Sequence, residues 1–573
     1  MYFQTEKDGN QLSAEITVAD HFAHFLAENN VANVYELSGG MIAFLTDSIF
    51  RLGKTKIVNT RNEQAAGFAA EGSSRVAGIP SVAMGTSGPG ATNLITAIGS
   101  AYFDSTPVLF VTGQVHTLEL RTNSLQRQNG FQELDIVSAT KGITKFSYQI
   151  KSADEFPEVL RRAWETAISG RPGPVLIDVP INIQQQMCKP IISSVTSAIN
   201  TGTNLNDSLS QLISKLSTAK RPLILAGGGI RSSKSQNKFQ DFVETLGLPV
   251  VHTLMGKDVL PTQHPMNMGF IGSYGNRWAN RALSRSDLLI VLGSRLDVRQ
   301  TGNDVEDFML NKFIVRVDAD SNELSGRISS DISIEIELSA FFDAIQIQSI
   351  PKLNSVEFIE EIHADKVKFT PASEQEVSLL LSPDRVITWI SSVGKESAGF
   401  CVDVGQHQMW AAQSIDLKEN QRFLTSGGMG AMGFSIPAAI GCATTEPKRW
   451  ITITGDGCMQ LNLGELQTII HYELPITIFV LNNNQHGMVA QFQEENMDSR
   501  FISTRDGYST PNFCEVARSF GIRSFSIKTD VDFDFVSRTL TEIDYGPILI
   551  EVEMDNRAKA LPKIDKFTKL SQL

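Results

Sequence analysis

At 573 residues the chain is too long for one hydrophobic core and implies roughly three or four compact units. Its 42% hydrophobic and 20% charged residues, with no apolar run long enough to cross a bilayer, suit a soluble globular protein rather than a membrane one. The formal net charge of -13 argues against a nucleic-acid partner, which needs clustered Lys and Arg, and suits an enzyme of small metabolites.

The five cysteines, Cys188, Cys401, Cys442, Cys458 and Cys514, are odd in number and scattered. That suits neither a disulfide framework nor a zinc site, so a reducing cytoplasm is expected. The opening "MYFQTEKDGNQ" has neither the basic start nor the apolar core of a signal peptide and reads as a disordered lead-in.

In chain order, three α/β units follow. In the first, 12–190, apolar runs "SVAMGT", "PVLFVTG" and "GPVLIDVP" alternate with amphipathic stretches such as "ADHFAHFLAENN", the pattern of a parallel sheet covered on both faces. The Ser/Thr/Asn-rich "SSVTSAINTGTNLNDS" marks a linker. The second unit, 205–345, carries "RPLILAGGG", "DLLIVLGS" and "FIVRVDAD". After "QSIPKLNSVEF" and a charged helical stretch, the third unit, 375–555, carries "FCVDVG", "WITITGDG", "ITIFVLNN" and "PILIEVEM". The first and third share one layout of strand, glycine turn, helix, proline and strand, so two related halves around an unrelated middle is the simplest reading.

The third unit carries the clearest chemistry. Asp456, between Gly455 and Gly457, ends an apolar strand, where open α/β sheets bind ligands. The glycines allow a tight turn, and a helix expected from near Leu463 aims its amides at the same crevice. Asn483 ends the next strand, one helix and one strand later, and so returns to the same sheet edge. A carboxylate, an amide oxygen and the Gln485 carbonyl form an all-oxygen set suited to Mg²⁺, which takes further ligands from water and a diphosphate. For a bare Gly-Asp-Gly, an ordinary βαβ unit with a capping Asp and a turn Asn is the better reading. The Asn pair at this spacing favours the cation.

"GDGCMQ…LNN" resembles the diphosphate-binding signature of thiamin-diphosphate enzymes, and the text around it resembles the acetolactate synthase branch. The likeness covers nearly the whole chain, through "NEQAAGFAAEGSSRVAG", "TSGPGATNLITAIGSAYFDSTP", "GFQELDIVSATKGITK", "RPGPVLIDVP", "DVGQHQMWAAQ" and "LTSGGMGAMGFSIPAAIG". It implies three doubly wound parallel-sheet domains: pyrimidine-binding, middle and diphosphate-binding. It implies thiamin diphosphate and Mg²⁺ as cofactors, and a homodimer or homotetramer whose active sites lie between subunits.

The resemblance also assigns roles. Glu63 of "RNEQAAGFAAEG" matches the cofactor-activating glutamate, a carboxyl group whose burial would raise its pKa and let it donate to the aminopyrimidine. Gly430 would accept from the aminopyrimidine amino group, and Met432 would bend the cofactor from beneath. Gly405, Gln406 and His407 of "GQHQ" match the segment that meets diphosphate and pyrimidine, although His407 could serve as a structural hydrogen-bonder. Gly457 and Cys458 would approach the diphosphate through backbone amides. Gly130, Phe131 and Gln132 of "GFQE", with Gly487 and Met488 of "HGMVAQF", would line the substrate pocket, although Phe131 and Met488 suit a core equally on pattern alone.

The middle segments "AGGGI", "HTLMGKD", "GSYGNRWAN", "LGSRLDVRQTG" and "VRVDAD" resemble flavin-binding ones. They imply FAD held by Gly227, Gly228, Thr253, Leu254, Met255, Gly275, Gly293, Arg295, Arg299 and Asp318. An adenine nucleotide or a purely structural domain is the alternative, since such turns are weak signals alone. The family's Asp-Asp-Arg reads Asp297-Val298-Arg299 here, a usual His is Tyr274, and a usual Arg is Lys141.

The implied reaction decarboxylates pyruvate, a 2-keto acid, and transfers the two-carbon hydroxyethyl unit to a second carbonyl. A simple decarboxylase of this architecture uses a His-His pair where "GQVHTLEL" has the lone His116. Two departures bear on the acceptor: Phe492 stands for the usual Trp, and "HTLELRTNSLQRQN" before Gly130 is longer than in acetolactate synthases. They leave open a keto-sugar nucleotide acceptor of the yersiniose type. A lyase or hydrolase of a cyclic dione or acyl-CoA, and a non-catalytic relative, are further readings. The last is disfavoured by the presence of Glu63, Asp456 and Asn483.

Overall fold

The computed structural model describes residues 15–123, 125–189, 205–346, 355–375, 379, 381–542, 545–564 and 568–569. The lead-in, most of the linker at 193–208 and most of "QSIPKLNSVEF" lie outside the described residues; the linker's last four residues open a helix, Leu205–Leu216. The chain forms two compact units, 1–198 and 199–573.

The first unit is built on a six-stranded parallel sheet in the order Lys56–Asn59, Asn33–Glu36, Ser81–Gly85, Val108–Gln114, Val175–Pro180, Phe146–Gln149. Its four inner strands are buried along their whole length, because helices cover both faces. One core layer packs Val82, Met84, Leu109, Val111, Val175 and Ile177 against helices Val18–Glu28 and Phe156–Ile168.

The second unit holds two further parallel sheets. One runs Asn267–Phe270, Val250–His252, Pro222–Ala226, Leu288–Leu292, Phe313–Asp318, Ile332–Glu335. The other runs Arg422–Leu424, Gly399–Val402, Trp450–Gly455, Ile476–Asn482, Ile548–Glu553, Arg523–Ile527. Numbered within each sheet by chain order, the first and last sheets share the sequence 2-1-3-4-6-5, whereas the middle one is 3-2-1-4-5-6. The related halves expected from the sequence are therefore real in topology, and the middle sheet has the dinucleotide-binding order.

Each order reverses direction beside its first strand, and a crevice opens at the carboxyl ends of the strands flanking that reversal. In the last sheet those strands are Gly399–Val402 and Trp450–Gly455. In the middle sheet they are Pro222–Ala226 and Leu288–Leu292, where Gly227 lies so close that a Cβ there would stand 2.0 Å from the Gly293 carbonyl oxygen. The two sheets of this unit are tied by Asp258, buried, which accepts from Arg422 Nε at 2.8 Å and pairs with Arg231 at 3.3 Å.

A buried acid in the first unit gives a pH-dependent prediction. Asp178 Oδ1 accepts from the Thr112 hydroxyl at 2.7 Å, and Oδ2 accepts from Gln114 and Gln149 at 2.9 and 2.8 Å. Burial nevertheless pushes its carboxyl up to about 6 from 3.8. The folded state thus holds this proton more tightly than the unfolded chain does. Its stabilisation is fully present below pH 3.8 and is lost as pH rises through about 6. An asparagine side chain in the same place could present its oxygen to the two glutamines while the Thr112 hydroxyl reverses. Asp178→Asn is therefore expected to stabilise the protein by roughly 3 kcal/mol at high pH. The urea midpoint should exceed wild type at about pH 8 and converge with it towards pH 4. A constant difference across that range would contradict the assignment.

Candidate active site

Three strand ends of the last sheet converge on one crevice. Strand Trp450–Gly455 is buried throughout and delivers Asp456, which is 3% exposed. A short helix begins at Asp456 itself, Asp456–Leu461, ahead of the one the sequence suggests from near Leu463; extended Gly455 lets it start at the strand end. It breaks at Asn462, whose side chain donates to the Gly433 carbonyl at 2.6 Å, before a second helix, Glu465–His471.

Asp456 Oδ2 accepts from the Gln485 amide at 3.1 Å, and the Tyr508 hydroxyl donates to the same carboxylate. Burial still pushes the Asp456 carboxyl up to about 6 despite these donors and the Gly457 amide. A buried carboxyl raised in this way gains most from a cation beside it. Asn483, just past strand Ile476–Asn482, donates Nδ2 to Gln406 Oε1 at 3.1 Å, which leaves Oδ1 as its acceptor. The Gln485 side chain is fixed by the Asn556 carbonyl at 2.8 Å and by Arg505 Nε at 2.5 Å, so its peptide is held against Asp456.

Glycines keep this crevice open. A Cβ on Gly487 would lie 2.0 Å from Gln406 Oε1 and 2.9 Å from Asn483 Nδ2. One on Gly457 would lie 2.7 Å from the His486 ring and 3.3 Å from Met432 Cε. The His407 ring is wedged between Gly405 and Gly455, where added Cβ atoms would stand 2.6 and 2.8 Å from it. Burial lowers its pKa to about 4, so the ring is neutral, and its buried Nε2 has no partner. Gly430 takes the left-handed φ of +66°. The Cys458 thiol donates to the Val404 carbonyl at 3.2 Å, and burial raises its pKa, so it stays a thiol. Met488 and half-exposed Phe492 lie on the helix Gly487–Asn496. An unpartnered imidazole nitrogen, glycine-lined space and a carboxyl-amide pair fit a diphosphate with a divalent cation.

In the first unit, Glu63 is the first residue of helix Glu63–Ala77, capped by Asn62, whose side chain accepts from the Gln64 amide at 2.8 Å. Glu63 is 6% exposed, and its Oε2 accepts from Asn93 Nδ2 at 2.9 Å. Nearby Glu36 accepts from Asn59 at 2.9 Å, and its pKa is raised by burial and further by the Glu63 charge. Gln132 adopts the left-handed φ of +66° and packs on Gly88, where a Cβ would lie 2.9 Å from the Gln132 Cβ. Phe131 beside it is 81% exposed, so on this unit it is a surface residue, not core.

The long loop before Gly130 is clasped by Glu133, whose two oxygens accept from the Arg121 amide at 2.9 Å and the Asn129 amide at 2.7 Å. His116 caps a short turn, its Nδ1 accepting from the Leu118 amide at 3.1 Å.

The ten middle-unit residues suggested by the flavin resemblance fall at or just beyond the carboxyl ends of five strands of that sheet. Leu254, Met255, Arg295 and Arg299 line one cavity with Tyr274 and Asp297. Thr253 precedes the turn Leu254–Gly256, Gly228 packs on Met255, and Gly275 sits where a Cβ would lie 2.5 Å from the Ile271 carbonyl carbon. Asp297 pairs with Arg295 at 2.9 Å and caps helix Val298–Thr301, so Val298 leaves that turn intact. Asp318 Oδ1 accepts from the Asp320 amide at 3.0 Å.

Three sheets in this order, with the Asp456 and Asn483 crevice on the last, define a thiamin-diphosphate enzyme. Family models agree: thiamine pyrophosphate enzyme N-terminal TPP binding domain over residues 16–139, central domain over 209–345 and C-terminal TPP binding domain over 403–552. The chain belongs to the acetolactate synthase large-subunit family. It is 34% identical to acetolactate synthase isozyme 1 large subunit of Escherichia coli (strain K12) over 561 residues, covering 96% of each. The large subunits of Cyanidium caldarium and Lactococcus lactis subsp. lactis (strain IL1403) are likewise 34% identical. The matches cover 96% and 94% of this chain, and 95% and 92% of those proteins.

Asn93, Tyr508, Glu133 and Gln491 escaped the sequence reading. Asn93, Glu133 and Gln491 lie inside the quoted "TSGPGATNLITAIGSAYFDSTP", "GFQELDIVSATKGITK" and "HGMVAQF" and Tyr508 in no quoted motif, but what each does depends on hydrogen bonds that the motifs do not spell out.

Proposed function

We propose that the protein is a thiamin-diphosphate-dependent carboligase that decarboxylates pyruvate and transfers the hydroxyethyl unit to a second carbonyl. The observation that carries this reading is the convergence of Asp456, Asn483 and the Gln485 peptide beside neutral His407 in one strand-end crevice. Thiamin diphosphate, when bound, supplies the carbon nucleophile and the electron sink for loss of CO₂.

The chain's own residues do the rest. Asp456, Asn483 and the Gln485 carbonyl would hold Mg²⁺, while His407 and the Gly405, Gly457 and Cys458 backbone meet the diphosphate. The Gly430 carbonyl would accept from the aminopyrimidine, Met432 would support the cofactor, and Glu63 would hold the proton needed for its activation. Phe131, Gln132, Met488 and Phe492 would shape the substrate pocket. Helix-capping Asn62 and the hydrogen bond from Asn93 fix the Glu63 carboxyl.

The proposed domains are 12–190, 205–345 and 375–555, in a homodimer or homotetramer that joins Glu63 of one subunit to the cation site of another. FAD in the middle domain is supported by the dinucleotide sheet order and the cavity at Arg295 and Arg299. The five buried cysteines form no disulfide, which suits the cytoplasm. Among the described residues no helix is long and apolar enough to cross a membrane.

The test incubates purified protein with pyruvate, thiamin diphosphate and Mg²⁺ and follows CO₂ release and acetolactate formation. Absence of pyruvate turnover with any acceptor overturns the reading. A visible flavin absorption band in the purified protein tests the middle domain separately.

A further inference from the structure

Asn483 can serve a cation only if its amide presents oxygen, not nitrogen, to the crevice. An amide side chain is nearly symmetric in shape, so something must fix its sense. The fixing group is traceable through two buried glutamines. Asn483 Nδ2 donates to Gln406 Oε1 at 3.1 Å. Gln406 must turn its oxygen that way, because its Nε2 faces two acceptors, the Ala558 carbonyl at 3.1 Å and Gln491 Oε1 at 3.2 Å.

Gln491 is in turn fixed by groups that cannot reverse. Its Oε1 also accepts from the Ala560 backbone amide at 3.0 Å, and its Nε2 donates to the Ala560 carbonyl and to Glu495 Oε1, both at 3.3 Å. A flipped Gln491 would set its NH₂ against the Ala560 N–H and the Gln406 NH₂. Gln491 is 5% exposed and Gln406 4%, so water offers little alternative to these bonds. A main-chain N–H thus sets the polarity of the relay.

We infer that Gln491 is a positioning residue for the cation site, acting through Gln406 to hold the Asn483 oxygen in the crevice. The inference rests on the proposed cation ligation by Asp456 and Asn483. Groups bonded directly to a metal ligand, as Gln406 is to Asn483, typically change metal affinity about 10- to 100-fold when lost, and Gln491 acts through that group.

The test measures Mn²⁺ binding by electron paramagnetic resonance on the full chain with thiamin diphosphate, without substrate, so turnover does not enter the reading. Gln491→Met and Gln406→Met are each expected to weaken Mn²⁺ binding about 10-fold, and the double variant no more than Gln406→Met alone. Gln491→Asn keeps an amide but shortens its reach, and gives the same reading should the methionine variant not fold. Wild-type Mn²⁺ affinity in a folded Gln491 variant, or losses that multiply in the double variant, overturns the inference. Asp456→Ala separates the two claims. If it binds Mn²⁺ like wild type, the cation reading itself fails; if it loses Mn²⁺ while the Gln491 variants keep it, only the relay fails.

Discussion

Glu63→Gln is expected to lower pyruvate turnover by about 10³-fold while thiamin diphosphate still binds, within the range that general acid-base groups contribute. Glutamine has the same length and can still offer an oxygen to Asn93 Nδ2, so the side chain should keep its place at the helix start. It carries no exchangeable carboxyl proton, so activation of the cofactor should stop. Loss of the acidic group from the first helical turn costs about 0.3–1 kcal/mol, too little to unfold the domain. Exchange of the cofactor's C2 proton, followed by NMR in the presence of the variant, reads the step directly. Exchange at the wild-type rate with bound cofactor would refute the role of Glu63. Asn93→Ala should retain a larger share of the exchange, since it removes only a partner of the carboxyl.

How much of this was readable beforehand follows burial. All ten apolar runs singled out in the sequence are strands, and all lie inside their sheets. The six edge strands of the three parallel sheets went unread: Lys56–Asn59, Phe146–Gln149, Asn267–Phe270, Ile332–Glu335, Arg422–Leu424 and Arg523–Ile527. An inner strand of a parallel sheet is covered on both faces and must be apolar throughout, whereas an edge strand carries polar residues towards solvent and loses that signature. Ile332–Glu335 alternates buried and exposed over only four residues, too short to stand out as a period. Two inner strands were missed as well, Asn33–Glu36 and Val250–His252, the first because Asn and Glu flank two apolar residues and the second because it is three residues long.

The candidate site was legible where chemistry sits beside glycine and opaque where it depends on long-range hydrogen bonds. Asp456, Asn483 and the glycines around them share short motifs at strand ends, and the strand periodicity alone brings them to one edge. The short helix at Asp456 is not legible because Gly457 argues against a helix on propensity, while extended Gly455 lets one start at the strand end. Tyr508 reaches Asp456 from a loop with no periodic signal, and Gln491 meets Ala560 across 69 residues. Contacts of that kind are properties of the packed chain, and no local spacing encodes them.

Asp456→Ala should abolish activity through the cofactor, not the fold. The carboxyl is buried among three donors, the Gln485 amide, the Gly457 amide and the Tyr508 hydroxyl, and is still raised to about 6 by burial. A divalent cation beside it would offset that burial, and the same argument run backwards gives the cost of removing Asp456. A buried charge deprived of its partner loses about 3–5 kcal/mol, or roughly 10²- to 4 × 10³-fold in cation affinity. Asp456→Asn should fall between, since an amide keeps one oxygen without the charge. Exhaustive dialysis of wild type against a chelator should reproduce the variant's inactivity. Returning Mg²⁺ and thiamin diphosphate should restore wild type and leave Asp456→Ala inactive at the same concentrations, with the cofactor-free variant still melting cooperatively. Recovery of the variant at ordinary Mg²⁺ would place the cation elsewhere, because no other carboxylate is bonded to the Asn483 and Gln485 pair among the described residues.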